Sequence, residues 1–170
     1  MENLLSLADQ KSLNIGLLNI HRVLDNVINI FSKYIEITFE RIYDPSLPEL
    51  LGDEDKLTQV FLNIIKNCIE SMNGKGMINI KTRIDYQAGN RKVVSIEIKD
   101  NGSGIKEENI DKIFTPFFTT KPKGTGLGLT ISHKIILEHK GSIKVESKVE
   151  KGTKFLINLP LLEEICVKRF

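Results

Sequence analysis

The hydrophobic residues of this chain change their period several times, and the order of those changes restricts the folds open to it. A helical stripe starting near Asn19, whose side chain is placed to cap it, carries Val23, Leu24, Val27, Ile28 and Phe31. "IEITFERI" then alternates Ile35, Ile37 and Phe39 with polar residues, as a half-buried strand does. The stretch "YDPSLPELLGDED" holds two prolines and reads as a connection. Residues 54–72 make the longest helical pattern, with Leu57, Val60, Phe61, Ile64, Ile65, Cys68 and Met72 on one apolar stripe, and "NGKG" ends it. Two alternating runs follow, Ile78, Ile80, Thr82 and Ile84, then Val94, Ile96, Ile98 and Asp100, joined as a hairpin through "YQAGNRK". Residues 103–123 show no clear period. A third long helix, from about Leu127 to His139 and stopped by Gly141, precedes a second hairpin, "SIKVES" and "TKFLINLP" around "KVEKG". The order α-β-α-β-β-α-β-β is not the alternation of a doubly wound fold. It predicts an α+β fold, a two-layer α/β sandwich with helices on one face of a mixed, mainly antiparallel sheet.

Charge and composition exclude several function classes. The chain has 170 residues, the length of one globular domain, and a formal net charge of +2 without a run of five like charges. Nucleic acid and direct membrane contact are therefore not predicted partners. Two cysteines, Cys68 and Cys166, make neither a disulfide framework nor a metal-ligand spacing, which fits a reducing cytoplasm. No apolar run reaches the ~18 residues of a membrane span, and the N-terminus lacks a signal-peptide pattern.

Three polar constellations carry chemistry. "KPKGTGLGLTIS" sets Gly124, Gly126 and Gly128 before a helix, where unpaired N–H groups and a partial positive charge attract anions. Glycines admit a phosphate to those groups, and Lys121 and Lys123 add charge; the alternative is a flexible linker. The Walker loop is excluded because the Gly74-Lys75 pair is followed by glycine, and Leu129 breaks G-x-G-x-x-G. In "KDNGSGI" the Asn-Gly pair signals a turn, but Asp100 falls on the apolar phase of its strand, so its carboxylate needs a buried donor. The exocyclic amine of adenine is such a donor, and Gly102 and Gly104 would leave room for a flat base. Asn63, Asn67 and Glu70 share one side of the long helix. Such amides are often solvated or capping, yet beside a phosphate loop the Asn67 oxygen suits Mg²⁺, a hard cation that takes few protein ligands.

"NIIKNCIES", "DNGSG", "FTPFF", "GTGLGL" and "GTKFLINLP" resemble, in order, the N, G1, F, G2 and G3 elements of the histidine-kinase ATP-binding domain. That domain has the Bergerat-type fold shared with gyrase, the heat-shock chaperone ATPases and MutL. The resemblance runs from about residue 18, and "YDPSLPELLGDEDKLTQVFLNIIKN" is further similar to the nitrogen-regulation sensor kinases. It implies ATP and Mg²⁺, with Asn67 on the metal, Asp100 on adenine N6 and Thr153 supporting that contact through water. Gly102, Gly104 and Ile105 would shape the base pocket. Gly124, Thr125, Gly126, Leu127, Gly128 and Leu129 would surround the phosphates, with Asn63, Lys66, Lys121 and Lys123 nearby. Residues 103–123 would form an ATP lid anchored by Phe114, Phe117 and Phe118.

Two departures from related patterns bear on mechanism. Gyrase-type ATPases carry a glutamate base where this chain has Asn63, which disfavours hydrolysis and favours transfer. No H-E-x-x-x-P-like phosphoacceptor motif occurs, and His21, His133 and His139 read as structural or surface residues. The resemblance therefore implies the ATP-binding half of a histidine kinase. Residues 1–14 would be a remnant of a dimerisation helix and linker, 15–162 the ATP-binding domain and 163–170 a tail. Its partners would be the dimerisation and phosphoacceptor domain of the same kinase and a response regulator, with the fragment itself a cytoplasmic monomer. A serine/threonine kinase or conformational ATPase of the same fold, or a non-enzymatic interaction module, are the alternatives.

Overall fold

The computed structural model describes residues 13–33, 36–122 and 124–161. Residues 1–12 of the stretch read as a dimerisation-helix remnant and linker, Ile35, Lys123 and the tail 163–170 lie outside them.

The elements run β1 (Gly16–Leu18), α1 (Ile20–Phe31), β2 (Ile37–Ile42), β3 (Leu50–Gly52), α2 (Glu54–Ser71), β4 (Gly76–Gln87), β5 (Arg91–Asp100), α3 (Glu107–Ile110), α4 (Gly128–Glu138), β6 (Ser142–Lys148) and β7 (Gly152–Pro160). Five strands form one sheet in the order β2-β4-β5-β7-β6. β2 lies parallel to β4, and every other pairing in it is antiparallel. Alternation makes one face of this sheet apolar: Ile78 and Ile80, Ile96 and Ile98, Phe155 and Ile157 all point into a core shared with α1, α2 and α4. This is the two-layer sandwich that the order of periods implies. Asn19 caps α1 by accepting from the Arg22 N–H at 3.1 Å.

The structure differs from the sequence reading in short elements. β3 lies within the proline-bearing stretch read as a connection and pairs antiparallel with β1, Leu18 opposite Leu50. Three-residue strands carry no period, and their partner lies more than thirty residues away in the chain, so neither is visible locally. The one-turn helix α3 falls in the stretch that shows no period. The first hairpin is also longer than read, since Tyr86–Gln87 and Arg91–Lys92 are paired across it. Among the described residues, no helix is long and apolar enough to cross a membrane.

Asp53 ties this architecture together at the start of α2. Its carboxylate accepts from the Lys56 N–H at 3.0 Å as N-cap and from the Asn14 N–H at 2.8 Å. Its own N–H donates to His139 Nε2 at 2.9 Å, and His139 Nδ1 donates to the Ile135 carbonyl, so the end of α4 is pinned to the start of α2. Burial pushes the Asp53 carboxyl up, but the two backbone N–H bonds outweigh it and hold the group below the usual carboxylate range. A depressed folded value means the contribution is complete above the unfolded value of about 3.9 and lost as pH falls through the lower folded one. Asp53→Ala should cost about 1 kcal/mol in urea unfolding at neutral pH. The gap to wild type should narrow below about pH 4; a gap that stays constant into strong acid would contradict this account.

Candidate functional site

A cleft of about 300 Å³ opens between α2, the C-terminal end of β5, the start of β7 and the segment 118–121. Asp100 lies at its floor, 2 % exposed. Burying a carboxylate is costly unless it is bonded, and three donors from three places meet its Oδ1. They are the Gly102 N–H at 2.8 Å, the Thr153 N–H at 3.2 Å and, at 3.3 Å, the Ser71 hydroxyl, whose single hydrogen is shared with the nearer Cys68 carbonyl at 2.8 Å. Oδ2 takes part in none of these bonds. Cys68 packs alongside and its thiol hydrogen-bonds to the Asp100 carboxylate; burial, then the Asp100 charge and this bond, push the thiol well up.

The wall beside Asp100 is a hydroxyl relay. Ser147 Oγ accepts from the Ile105 N–H at 2.8 Å and donates to the Gly152 carbonyl at 2.9 Å. Its single hydrogen is thereby used, so at 2.9 Å Thr153 Oγ1 is the donor of that pair, and its lone pairs remain for a ligand or water. Gly104 completes the wall at a φ of +71°, where a Cβ would stand 2.1 Å from the Lys148 carbonyl oxygen. Gly102 packs away from the cleft onto Ser71.

On α2, Asn67 Nδ2 donates to the Asn63 carbonyl at 2.9 Å, which fixes Asn67 Oδ1 as the outward acceptor. The Lys121 ammonium binds that oxygen at 2.8 Å and also the Glu70 carboxylate. Lys66 stands 3.9 Å from the other Glu70 oxygen, on the exposed side of the helix. Asn63 points elsewhere: its Nδ2 donates to the Gly128 carbonyl at 3.1 Å and to Ser132 Oγ at 3.2 Å, joining α2 to α4. Among the described residues, no group of three or more His, Cys, Asp or Glu is placed to hold a metal.

The three phenylalanines of the segment expected to form a lid separate. Phe114 packs against the core and stacks on His133 at 4.9 Å, Phe118 lines the cleft, and Phe117 is 65 % exposed at a φ of +64°. The Phe117 N–H donates to the Gly126 carbonyl at 3.0 Å. Gly126 itself has a φ of +68°, and a Cβ there would stand 2.4 Å from the Phe117 carbonyl carbon. The glycine segment thus packs behind residues 117–119. α4 begins at Gly128 without a side-chain cap on its first turn, and the N–H of the preceding Leu127 lies 3.5 Å from Thr125 Oγ1.

Of the residues singled out from sequence, Asn67, Asp100, Gly104, Ile105, Lys121, Leu129 and Thr153 line one cleft. Asn63, Lys66, Gly102, Gly124, Thr125, Gly126, Leu127 and Gly128 lie outside its lining. Ser71, Asn109, Ile113 and Phe155 line it without any sequence signal of their own, and Glu70 does so with only its helical phase to mark it.

Residues 52–163 match the family of histidine kinase-, DNA gyrase B- and HSP90-like ATPases, a nucleotide-binding class, and the chain belongs to that family. It is 43% identical over 155 residues to the sensory histidine kinase/phosphatase NtrB of Rhodobacter capsulatus, covering 84% of this chain and 43% of that protein. The catalytic domain of histidine kinase ThkA, in a nucleotide-free form, superposes with a TM-score of 0.77 at 33% identity, over 88% of this chain and 99% of that one. ThkA in complex with the response regulator TrrA superposes with a TM-score of 0.72 at 31% identity, over 87% and 42% of the two chains. The chain spans less than half the length of the curated relatives it matches.

Gly126→Ala should destabilise its packing against residues 117–119 by at least about 1 kcal/mol, because alanine is strained at positive φ and its Cβ collides with Phe117. Hydrogen exchange of amides 115–121 should quicken; unchanged exchange would show that this packing does not hold the segment.

Proposed function

We propose that this chain is the ATP-binding catalytic domain of a two-component sensor histidine kinase of the nitrogen-regulation type. It delivers the γ-phosphoryl group to a histidine on the dimerisation domain of the same kinase, and a response-regulator aspartate then receives it. The observation that carries this reading is the buried Asp100. Its Oδ1 is saturated by protein donors while the residue forms the floor of a cleft. Oδ2 then meets the adenine amine, Gly104 and Ile105 lie against the base, and the Thr153 hydroxyl holds a water beside it.

The triphosphate runs from there towards α4. Lys121 and Lys123 supply charge, and the backbone N–H groups of Gly124, Thr125, Gly126, Leu127 and Gly128 supply donors at an uncapped helix start. Asn63, Lys66 and Leu129 border that path. Residues 117–119 pack against the glycines, so binding requires this segment to move, which is the behaviour of a lid. Mg²⁺ fits the donor set, because Asn67 presents a hard oxygen oriented by its own N–H, and a cationic group already rests on it. Bound there, it would neutralise charge on the transferring phosphoryl group.

Transfer rather than hydrolysis follows from Asn63, whose amide donates into α4 and cannot accept a proton from water. The domain occupies residues 15–162, with 1–14 belonging to the dimerisation helix and linker and 163–170 to a tail. It works in the cytoplasm and is a monomer as a fragment.

Calorimetric titration of ATP, ADP and GTP, each with and without Mg²⁺, tests this reading. Adenine-selective binding, tighter with Mg²⁺ for the triphosphate, is the expected outcome; no heat with any nucleotide would overturn it. Asp100→Asn should weaken ATP by about tenfold or more, since the base then loses a charged acceptor. Asn67→Ala should abolish the Mg²⁺ dependence, and a wild-type dependence in that variant would remove Asn67 from the metal.

A further inference from the structure

The bridge from Lys121 to α2 joins two oxygens one helical turn apart, Asn67 Oδ1 at 2.8 Å and the Glu70 carboxylate. Both face the cleft that has Asp100 at its floor. An ammonium held by an amide oxygen and a carboxylate occupies a position whose donors also suit a hard divalent cation. Glu70 is otherwise out of place, because a carboxylate facing the path of a triphosphate repels it unless a cation lies between them. Mg²⁺ is commonly held by one or two carboxylates together with substrate phosphates and water. Asn67 alone brings no charge. The side chains of Lys121 and Glu70 are 42 % and 40 % exposed, so their ion pair is accessible and weak enough to exchange.

On the reading of this cleft as an ATP site, we propose that Glu70 is the second oxygen of the divalent-cation position. Lys121 is a tethered cation that holds that position until the metal arrives with nucleotide. Lys121 and the metal cannot occupy it together. Metal arrival therefore frees the lid segment that carries Lys121 and releases its ammonium to the phosphates. Glu70 keeps its second partner throughout, since Lys66 lies on the other oxygen, 3.9 Å away.

The test is the ratio of ATP affinity in Mg²⁺ to that in EDTA, measured by calorimetry on the whole chain for wild type, Glu70→Gln and Lys121→Met. Reaction of the Lys121 amine with acetic anhydride, followed by mass spectrometry in nucleotide-free protein, reports the bridge directly. Glu70→Gln should lower the ratio by about fivefold or more, leave Mg²⁺-free affinity no weaker than wild type, and raise Lys121 labelling. Lys121→Met should weaken Mg²⁺-free binding yet raise the ratio, because no tethered cation competes. A wild-type ratio in Glu70→Gln, or an unchanged or lower ratio in Lys121→Met, overturns the exchange while leaving the ATP reading intact. Wild-type protein that binds no ATP overturns both.

Discussion

A carboxylate buried at the end of a central strand must be satisfied by its surroundings, and the way Asp100 is satisfied organises the cleft. Its Oδ1 draws one donor from the turn after β5, one from the end of α2 and one from the start of β7. An unpaired charge there would cost several kcal/mol, so these three elements are held at a common point. The turn that follows is fixed by the same junction: the Ser103 N–H donates to the Ser71 carbonyl at 3.1 Å, and the Ser103 carbonyl accepts from Glu150 at 2.8 Å. The wall of the cleft therefore inherits its geometry from the packing of the core.

α2 is the second determinant, because its rotation is set by burial. Leu57, Val60, Phe61, Ile64, Ile65 and Cys68 are all at most 1 % exposed, which leaves the helix no freedom about its axis. Its polar edge then has a defined direction, and each member does something different. Asn63 locks α4, Asn67 presents an oriented oxygen, Glu70 holds two ammonium groups, and Ser71 donates to Asp100. A substitution that repacks the apolar stripe would therefore move all four.

Much of this was legible in the sequence where the signal is local. The phase of Asp100 against Val94, Ile96 and Ile98 announces a carboxylate pointing inward, and the stripe on α2 announces which side faces away. Contacts made across the fold left no such trace. Ser147 looks like any alternate residue of a strand, and only the register that sets it opposite Thr153 gives its hydroxyl a role. Lys121, the partner of Glu70 in the bridge, lies 51 residues away, and β1 finds β3 across more than thirty. By spacing alone the glycines suggest space for phosphate. In the structure Gly126 is required by its own φ and by the nearness of Phe117, a packing demand that composition and spacing cannot separate from a binding one.

The arrangement of carboxylates also bears on what the site would do with ATP. Water must lose a proton to attack a phosphoryl group usefully, and a general base has to stand within hydrogen-bond reach of it. Two carboxylates line this cleft. Asp100 is committed at the far end, with three donors on one oxygen. Glu70 is close to the proposed phosphate path, but its two oxygens face Lys66 and Lys121, so ammonium groups rather than water stand against them. Asn63, one turn before Asn67, has already given its N–H groups to α4. On the proposed reading, a site so furnished would bind and orient a triphosphate without activating water. The attacking group would then be a nucleophile adequate in its neutral form, as an imidazole from outside this domain is.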